Sequence, residues 1–552
     1  MPQTKGPVIS LDRRLGSWQR GLISSRTALI CLILLALVAT VGVADRVFER
    51  IPHTEDELAF VFQARTLAMG RLYAPIPERD EFFTAPFIIA RDGKWFGKYP
   101  PGYPLILSLG TMVDAPWLVN PIAGSLALLV TYLIAGEVYD SRTGLIVVGL
   151  GVVSPFFLIL TGSLMSHATA MLCMALFALF FLKTLRNHSI IHPMLAGTCL
   201  GLAFLNRQLT AVSLALPFAL YAMATLSAGW RRVIDYGLMT ASFLVFVGIL
   251  LWYNNTLTSS PFRSPYELYW DFDKIGFGKG IGSLGEHTLQ LGLMNTKDNL
   301  DLLSHQLFGW PGRLSLLFIF APFLLLKVRT ADLLFLLSFV SLAGFYVLYW
   351  ASGVMYGPRY YFEGLPMLLL LSARGIVVMG ERLTQALTAA GSLLGSRNST
   401  RRHGDTGVSG PTLHGRRTTA LSGGIAPALG WGMVGAFTLI MIGIGLTTYL
   451  PKEFAHWYEW YGMSSRPLQA VKQAGIHHAL VFVVQERGWV DYGEVFPANS
   501  PTLDSDIVYA IDQGLSADFK LAERYFPGRQ TYILRGTHVD RLEGRATPSG
   551  ED

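Results

Sequence analysis

Long apolar runs separated by short polar segments dominate the chain. Eleven of them approach the roughly 20 residues that a helix needs to cross a bilayer. They fall at about 27–47, 118–138, 143–162, 166–184, 193–206, 209–227, 233–253, 313–327, 331–350, 359–378 and 428–450. Two long polar stretches interrupt the pattern, at 47–117 and 254–312. After the last apolar run the period changes. Short β-rich runs at 479–484, 506–510 and 531–534 predict strands, and 466–474 and 517–525 predict helices. The predicted fold is a polytopic α-helical membrane protein of about eleven transmembrane helices with a small C-terminal α/β domain.

Charge supports this alternation and orients it. Lys5, Arg13, Arg14, Arg20 and Arg26 precede the first run. The predicted inside loops carry Arg142, then Lys183 and Arg186, then Arg231 and Arg232, then Lys327 and Arg329. A linker at 379–427 carries Arg382, Arg397, Arg401, Arg402, Arg416 and Arg417. Short basic loops face the cytoplasm. The expected organisation is therefore a basic cytoplasmic N-terminus (1–26), a transmembrane domain (27–378) with outer loops 47–117 and 254–312, a basic cytoplasmic linker (379–427), a last helix (428–450) and an extracytoplasmic α/β domain (451–552). Gly, Ser, Thr and Arg enrichment from 390 to 427 predicts a flexible linker. The first run lacks a clear small-x-small cleavage site and reads as an anchor.

Composition excludes a wholly soluble protein. Charged residues make up 15% of the chain and hydrophobic ones 51%, against about 25% charge in a typical soluble domain. The net charge of +6 belongs to membrane orientation, and nucleic acid is not an expected partner. Cys31, Cys173 and Cys199 all fall in apolar runs without metal-site spacing and read as core residues.

Candidate chemistry gathers at the outer boundary. Glu55, Asp56 and Glu57 follow the first run. Acids there favour a helix N-terminus, and they also suit a general base or a divalent-metal ligand. Lys98 precedes Tyr99-Pro100-Pro101. Two prolines stiffen the backbone, so Lys98 either places a point charge on a phosphate or snorkels at the interface. Arg359, in Gly357-Pro358-Arg359-Tyr360-Tyr361, is costly at membrane depth unless paired and suits bidentate phosphate contact. Tyr360 joins that phosphate set or belongs to an interfacial aromatic belt. Arg207 is a further phosphate candidate at an outer turn, and His167 at another outer turn is a metal ligand or a structural hydrogen-bonder. The loop 254–312 holds Trp270, Asp271, Asp273, His287 and Asn295, suited to a sugar or a lipid headgroup.

Three of these features together resemble a known family. They are the Asp-Glu pair after the first run, the Lys-x-Pro-Pro-Gly-Tyr-Pro stretch and the Gly-Pro-Arg-Tyr-Tyr stretch. They resemble the GT-C membrane glycosyltransferases, and within them the dolichyl-phosphate-mannose–protein mannosyltransferases and their bacterial relatives, including the lipid A aminoarabinose transferase. The resemblance spans roughly residues 25 to 380. It implies a sugar donor on a polyprenyl phosphate and transfer with inversion to an acceptor hydroxyl of a protein, lipid or glycan. By that resemblance Asp56 is the catalytic acidic residue, deprotonating the acceptor or holding a metal, with Glu57 in support. Lys98 and Arg359 bind the donor phosphate. Where relatives carry a second acid before the fourth span, Ser166 and His167 stand here. A divalent metal on Asp56 and His167 is one expectation and a metal-free site the other. The bacterial inner membrane is the expected setting. A lipid or sugar transporter without transferase activity is the alternative function, though no internal repeat of the kind common in transporters is visible.

Overall fold

A computed structural model of the chain describes residues 22–187, 189–402 and 415–542. The basic residues Lys5, Arg13, Arg14 and Arg20 lie outside the described residues.

Every predicted apolar run contains helix, but the runs differ in length. Among the described residues, six helical stretches are long and apolar enough to cross a membrane: Ser25–Arg46, Pro116–Val138, His167–Arg186, Trp230–Thr258, Arg359–Ser392 and Ala426–Gly462. Two bent pairs raise the number to eight if each pair is one span. In the first pair, Ser141–Val152 and Pro155–Gly162 meet at 64°. Pro155 lacks the N–H that would continue the earlier helix, while the Ser154 hydroxyl caps the new one by accepting from Phe157 N. In the second pair, Leu289–Gln306 and Pro311–Leu324 meet at 92°. Ile191–Asn206, Gln208–Ala224 and Thr330–Tyr346 are shorter apolar helices. Against the expected eleven or so spans, six to eight among the described residues are long ones by length and composition, and three more apolar helices are shorter. A helix rises about 1.5 Å per residue, so a run of 17 residues falls short of a hydrocarbon core of roughly 30 Å.

The basic loops meet at one end of the bundle. Arg232 donates to the Thr184 and Leu185 carbonyls at 3.1 and 2.8 Å. Arg186 pairs with Glu137 at 2.6 Å, and Arg329 donates to the Val138 carbonyl at 2.9 Å. The expected flexible linker is helical at both flanks, because Leu365–Arg402 and Gly415–Ile444 run into it.

The stretch 47–117 is an ordered unit. Thr54 caps the helix Glu55–Ala68 through its hydroxyl on Glu57 N. Ala74–Pro75, Lys94–Gly97 and Ile88–Arg91 form a three-stranded sheet with Lys94–Gly97 in the middle. The helix Gly102–Thr111 returns the chain to the bundle. The C-terminal unit carries a four-stranded sheet in the order Ile507–Ile511, Ala479–Val483, Gln530–Arg535, His538–Arg541. The first three strands are parallel and the last is antiparallel. This sheet packs back on the 47–117 unit. Phe62 stacks on Phe496 at 5.8 Å, Phe82 meets Phe482 at 6.3 Å, and Phe83 meets Phe526 at 6.2 Å.

Candidate active site

Two close backbone approaches assemble the site. Gly102 lies against the chain at Leu205–Asn206, where a Cβ would sit 2.5 Å from the Leu205 carbonyl carbon. Only glycine permits that contact, and it seats the Lys98–Pro101 elbow beside Arg207. Gly357 adopts φ +103°, and a Cβ there would meet Gln306 Oε1 at 2.0 Å. That turn delivers Arg359 to the same place. The result is a cavity of about 800 Å³ lined by Asp56, Lys98, Arg207, Arg359 and Tyr360, among others.

Asp56 stands in the first turn of the helix Glu55–Ala68. The Tyr99 hydroxyl donates to one carboxylate oxygen at 2.5 Å, and Arg359 Nη1 reaches the other at 3.3 Å. Burial opposes ionisation of Asp56, but the Arg359 and Lys98 charges and the Tyr99 hydroxyl outweigh it, so its carboxyl is held below the usual carboxylate range. Tyr99 is itself fixed from behind, since its carbonyl accepts from Gln63 Nε2 at 2.8 Å and from the Tyr253 hydroxyl at 3.1 Å.

Lys98 makes no ion pair among the described residues. Its ammonium lies 3.5 Å from the Phe87 ring centroid and 4.1 Å from that of Trp270. Tyr99, Tyr266 and Tyr269 surround it at 5.4–5.5 Å. Such a cage holds a cation through ring quadrupoles while leaving its N–H donors for a ligand. Burial pulls the Lys98 pKa down to about 8, against the upward pull of Asp56 and Asp273.

The two arginines flank one ring. Arg207 and Arg359 place their guanidinium carbons 5.3 and 5.4 Å from the Tyr360 centroid, and Tyr360 stacks on Tyr346 at 4.5 Å. Arg207 occupies the single non-helical residue between two helices. Its Nε lies 3.2 Å from Glu363, and Glu363 lies 3.0 Å from His167 Nδ1. Glu363 was missed in the sequence, where it reads as one acid at the start of an apolar run. Only its burial beside Arg207 marks it as a positioning residue.

Two candidate residues take other places. Glu57 is fully buried and does not line the cavity. It accepts from the backbone N–H of His53 at 2.7 Å and of Leu164 at 2.9 Å, tying the helix start to the turn before His167. Burial pushes its carboxyl up to about 7, against those two hydrogen bonds. Both of its oxygens are already committed to amides, so its contacts tie backbone segments together beside the Asp56 it was expected to support. His167 also lies outside the cavity lining and turns its Nδ1 to Glu363. Asp56 and His167, the pair expected for a divalent metal, have other partners here. The Asp56 oxygens face Tyr99 and Arg359, two cationic side chains border them, and no group of three or more His, Cys, Asp or Glu that could hold a metal occurs among the described residues.

Comparison with known proteins bears on the fold and on one segment of the chain. Residues 98–252 match the model of the dolichyl-phosphate-mannose-protein mannosyltransferase family. That stretch contains Lys98 and Arg207 but neither Asp56 nor Arg359, which join them only in space. Comparison with curated proteins returns no match. Among solved structures, ArnT from Cupriavidus metallidurans bound to undecaprenyl phosphate is similar with a TM-score of 0.51 at 13% identity, over 91% of this chain and 92% of that one. The same protein in the apo state gives 0.51 at 12% identity, over 92% and 93%. The motif resemblance therefore holds at the level of architecture: this chain has the GT-C membrane fold, shared with ArnT, and its residues 98–252 match the dolichyl-phosphate-mannose-protein mannosyltransferase model.

Proposed function

We propose that the protein is an inverting glycosyltransferase that moves a sugar from a polyprenyl-phosphate donor to an acceptor hydroxyl on the outer face of the membrane. One observation carries this reading. The ionised carboxylate of Asp56 faces a cavity whose lining includes four cationic side chains, Lys98, Arg207, Lys274 and Arg359, the first of them caged by aromatic rings. That is the charge pattern needed when a phosphate leaves and a hydroxyl attacks. The outer-face placement is supported by the basic loops, which meet at the opposite sequence-predicted side.

In this reading Lys98, Arg359 and Arg207 hold the donor phosphate. Arg359 is paired with Asp56 before the donor arrives. A phosphate competes for that guanidinium as a bidentate partner. As Arg359 turns to the phosphate, Asp56 loses its strongest stabilising charge and becomes a better base. The acceptor oxygen then bonds to the anomeric carbon from the face opposite the phosphate. The bond between that carbon and the phosphate oxygen breaks, its electron pair stays on the phosphate, and the acceptor proton passes to Asp56. The polyprenyl chain leaves the cavity toward the apolar helices. No soluble nucleotide is required.

Asp56→Asn tests this directly. Purified enzyme with a panel of polyprenyl-phosphate sugars should release polyprenyl phosphate, and the variant should lose at least roughly 100-fold in turnover, the usual contribution of a general base. Retention of full turnover by Asp56→Asn would remove the assignment.

A further inference from the structure

The cavity has a second wall that phosphate chemistry does not use. Tyr461 lines it with Glu55 and Asp56, yet comes from the short 3-10 turn Trp460–Gly462 at the end of the stretch Ala426–Gly462. Its side chain is 48% exposed. Behind it stand Trp460 at 5.2 Å and Trp489 at 5.9 Å between ring centroids. We infer that Tyr461, backed by these two indoles, is the platform for the acceptor, and that the acceptor is a neutral oligosaccharide. This rests on the transfer reading above and names the class of its second substrate.

The backbone is bent to present this ring. Glu459 and Tyr461 both adopt left-handed conformations, at φ 50° and 59°. A bulky residue rarely does so without an outside constraint. The constraints are present on both sides of the turn. Arg466 pairs with Glu459 at 2.7 Å, and Arg487 donates to the Gly462 carbonyl at 2.7 Å. Glu494 accepts from Ser464 N at 2.7 Å, and Glu49 accepts from Ser465 N at 2.6 Å. Carboxylates from the first membrane helix region and from the C-terminal unit thus pin one strained turn at the cavity mouth.

Charge and shape select the occupant. Glu55 beside the ring accepts hydrogen bonds, and in the transfer reading Lys98, Arg207 and Arg359 are taken by the donor phosphate, so the acceptor offers hydroxyl donors and carries no net negative charge. A pyranose or furanose presents a C–H face to an aromatic ring and hydroxyls at its edge, matching a ring bordered by carboxylates. An extended peptide would draw its affinity from main-chain pairing at a strand edge. No cavity-lining residue belongs to a strand among the described residues.

The test is a tryptophan-fluorescence titration of the full-length protein in detergent. The probes are neutral hexose and pentose tetrasaccharides, tetragalacturonate, and an octapeptide rich in Ser and Thr. At least one neutral tetrasaccharide should bind, with tetragalacturonate and the peptide at least ten-fold weaker. Tyr461→Ala should weaken saccharide binding ten-fold or more while polyprenyl-phosphate binding stays unchanged, and Tyr461→Phe should restore it. Binding of the peptide in preference to every saccharide, or saccharide affinity untouched by Tyr461→Ala, overturns the inference, as does the absence of saccharide binding. Because the titration needs no turnover, a failure of the transfer reading shows separately, as absence of polyprenyl-phosphate release.

Discussion

At the scale of single residues, the site depends on how burial and charge divide labour among neighbouring ionisable groups. Lys98 has its pKa lowered to about 8. It is cationic below that value and neutral above it, so donor binding should be strong on the acid side and weaken as pH rises through about 8. Donor KM measured against pH should rise there, and Lys98→Arg, which stays charged, should shift that rise to higher pH. Asp56 is held below the usual range, so its own acid limb should lie below that of an ordinary aspartate. Glu57 differs from its neighbour although the two are adjacent in sequence. Glu57→Ala strands two buried backbone donors, each costing about 1–3 kcal/mol. The variant should melt at a clearly lower temperature in detergent. A variant that kept the wild-type melting point and lost only turnover would mean that Glu57 acts in catalysis. The acidic triplet was legible in the sequence, but its division of roles was not. Helical geometry turns adjacent residues to different faces, and which face meets the cavity depends on where the helix packs.

At the scale of elements, the site is made by turns and breaks. Lys98 follows a strand, Arg207 joins two helices, and Arg359 begins a short 3-10 segment. Each was marked in the sequence by a local signal: Pro-Pro, a basic residue interrupting an apolar run, and Gly-Pro-Arg. None of those signals specifies contact with the others. The contact is decided by approaches such as Gly102 on Leu205. Gly102→Ala forces a Cβ against backbone, which cannot yield as a side chain would. Such overpacking costs about 1–3 kcal/mol, and the displaced elbow should raise donor KM as well as lower the melting temperature. A normal donor KM in a well-folded Gly102→Ala protein would show that the elbow is not placed by this contact. The breaks also account for the number of long helices. Apolar content marks each run, whereas a Ser-Pro step or a 92° corner decides whether a run crosses in one piece.

At the scale of the whole molecule, the membrane bundle, the 47–117 unit and the C-terminal unit act as one frame around the cavity. Phe496 is buried against Phe62, Trp95 and Tyr492. Phe496→Ala should cost about 3–5 kcal/mol of packing and loosen the C-terminal unit. Limited proteolysis near residues 451–465 should then accelerate, and an unchanged cleavage rate would show that the aromatic seam does not hold the unit. The seam bears on function because Tyr461 and its pinned turn lie where the two units meet. The sequence by itself determined the membrane class, the basic character of the short loops, three strands and two helices of the C-terminal unit, and the identity of Asp56, Lys98 and Arg359 as candidates. These follow from local quantities: apolar run length, charge sign, side-chain period and residue chemistry. Tertiary structure alone decided that Glu57 is a tie between backbones, that Glu363 holds Arg207, that Lys98 sits in an aromatic cage, and that a tyrosine some 400 residues beyond Asp56 shares its cavity. Those depend on which distant surfaces come into contact, and contact between residues far apart in the chain is set by the packing of the whole, not by any local run of residues.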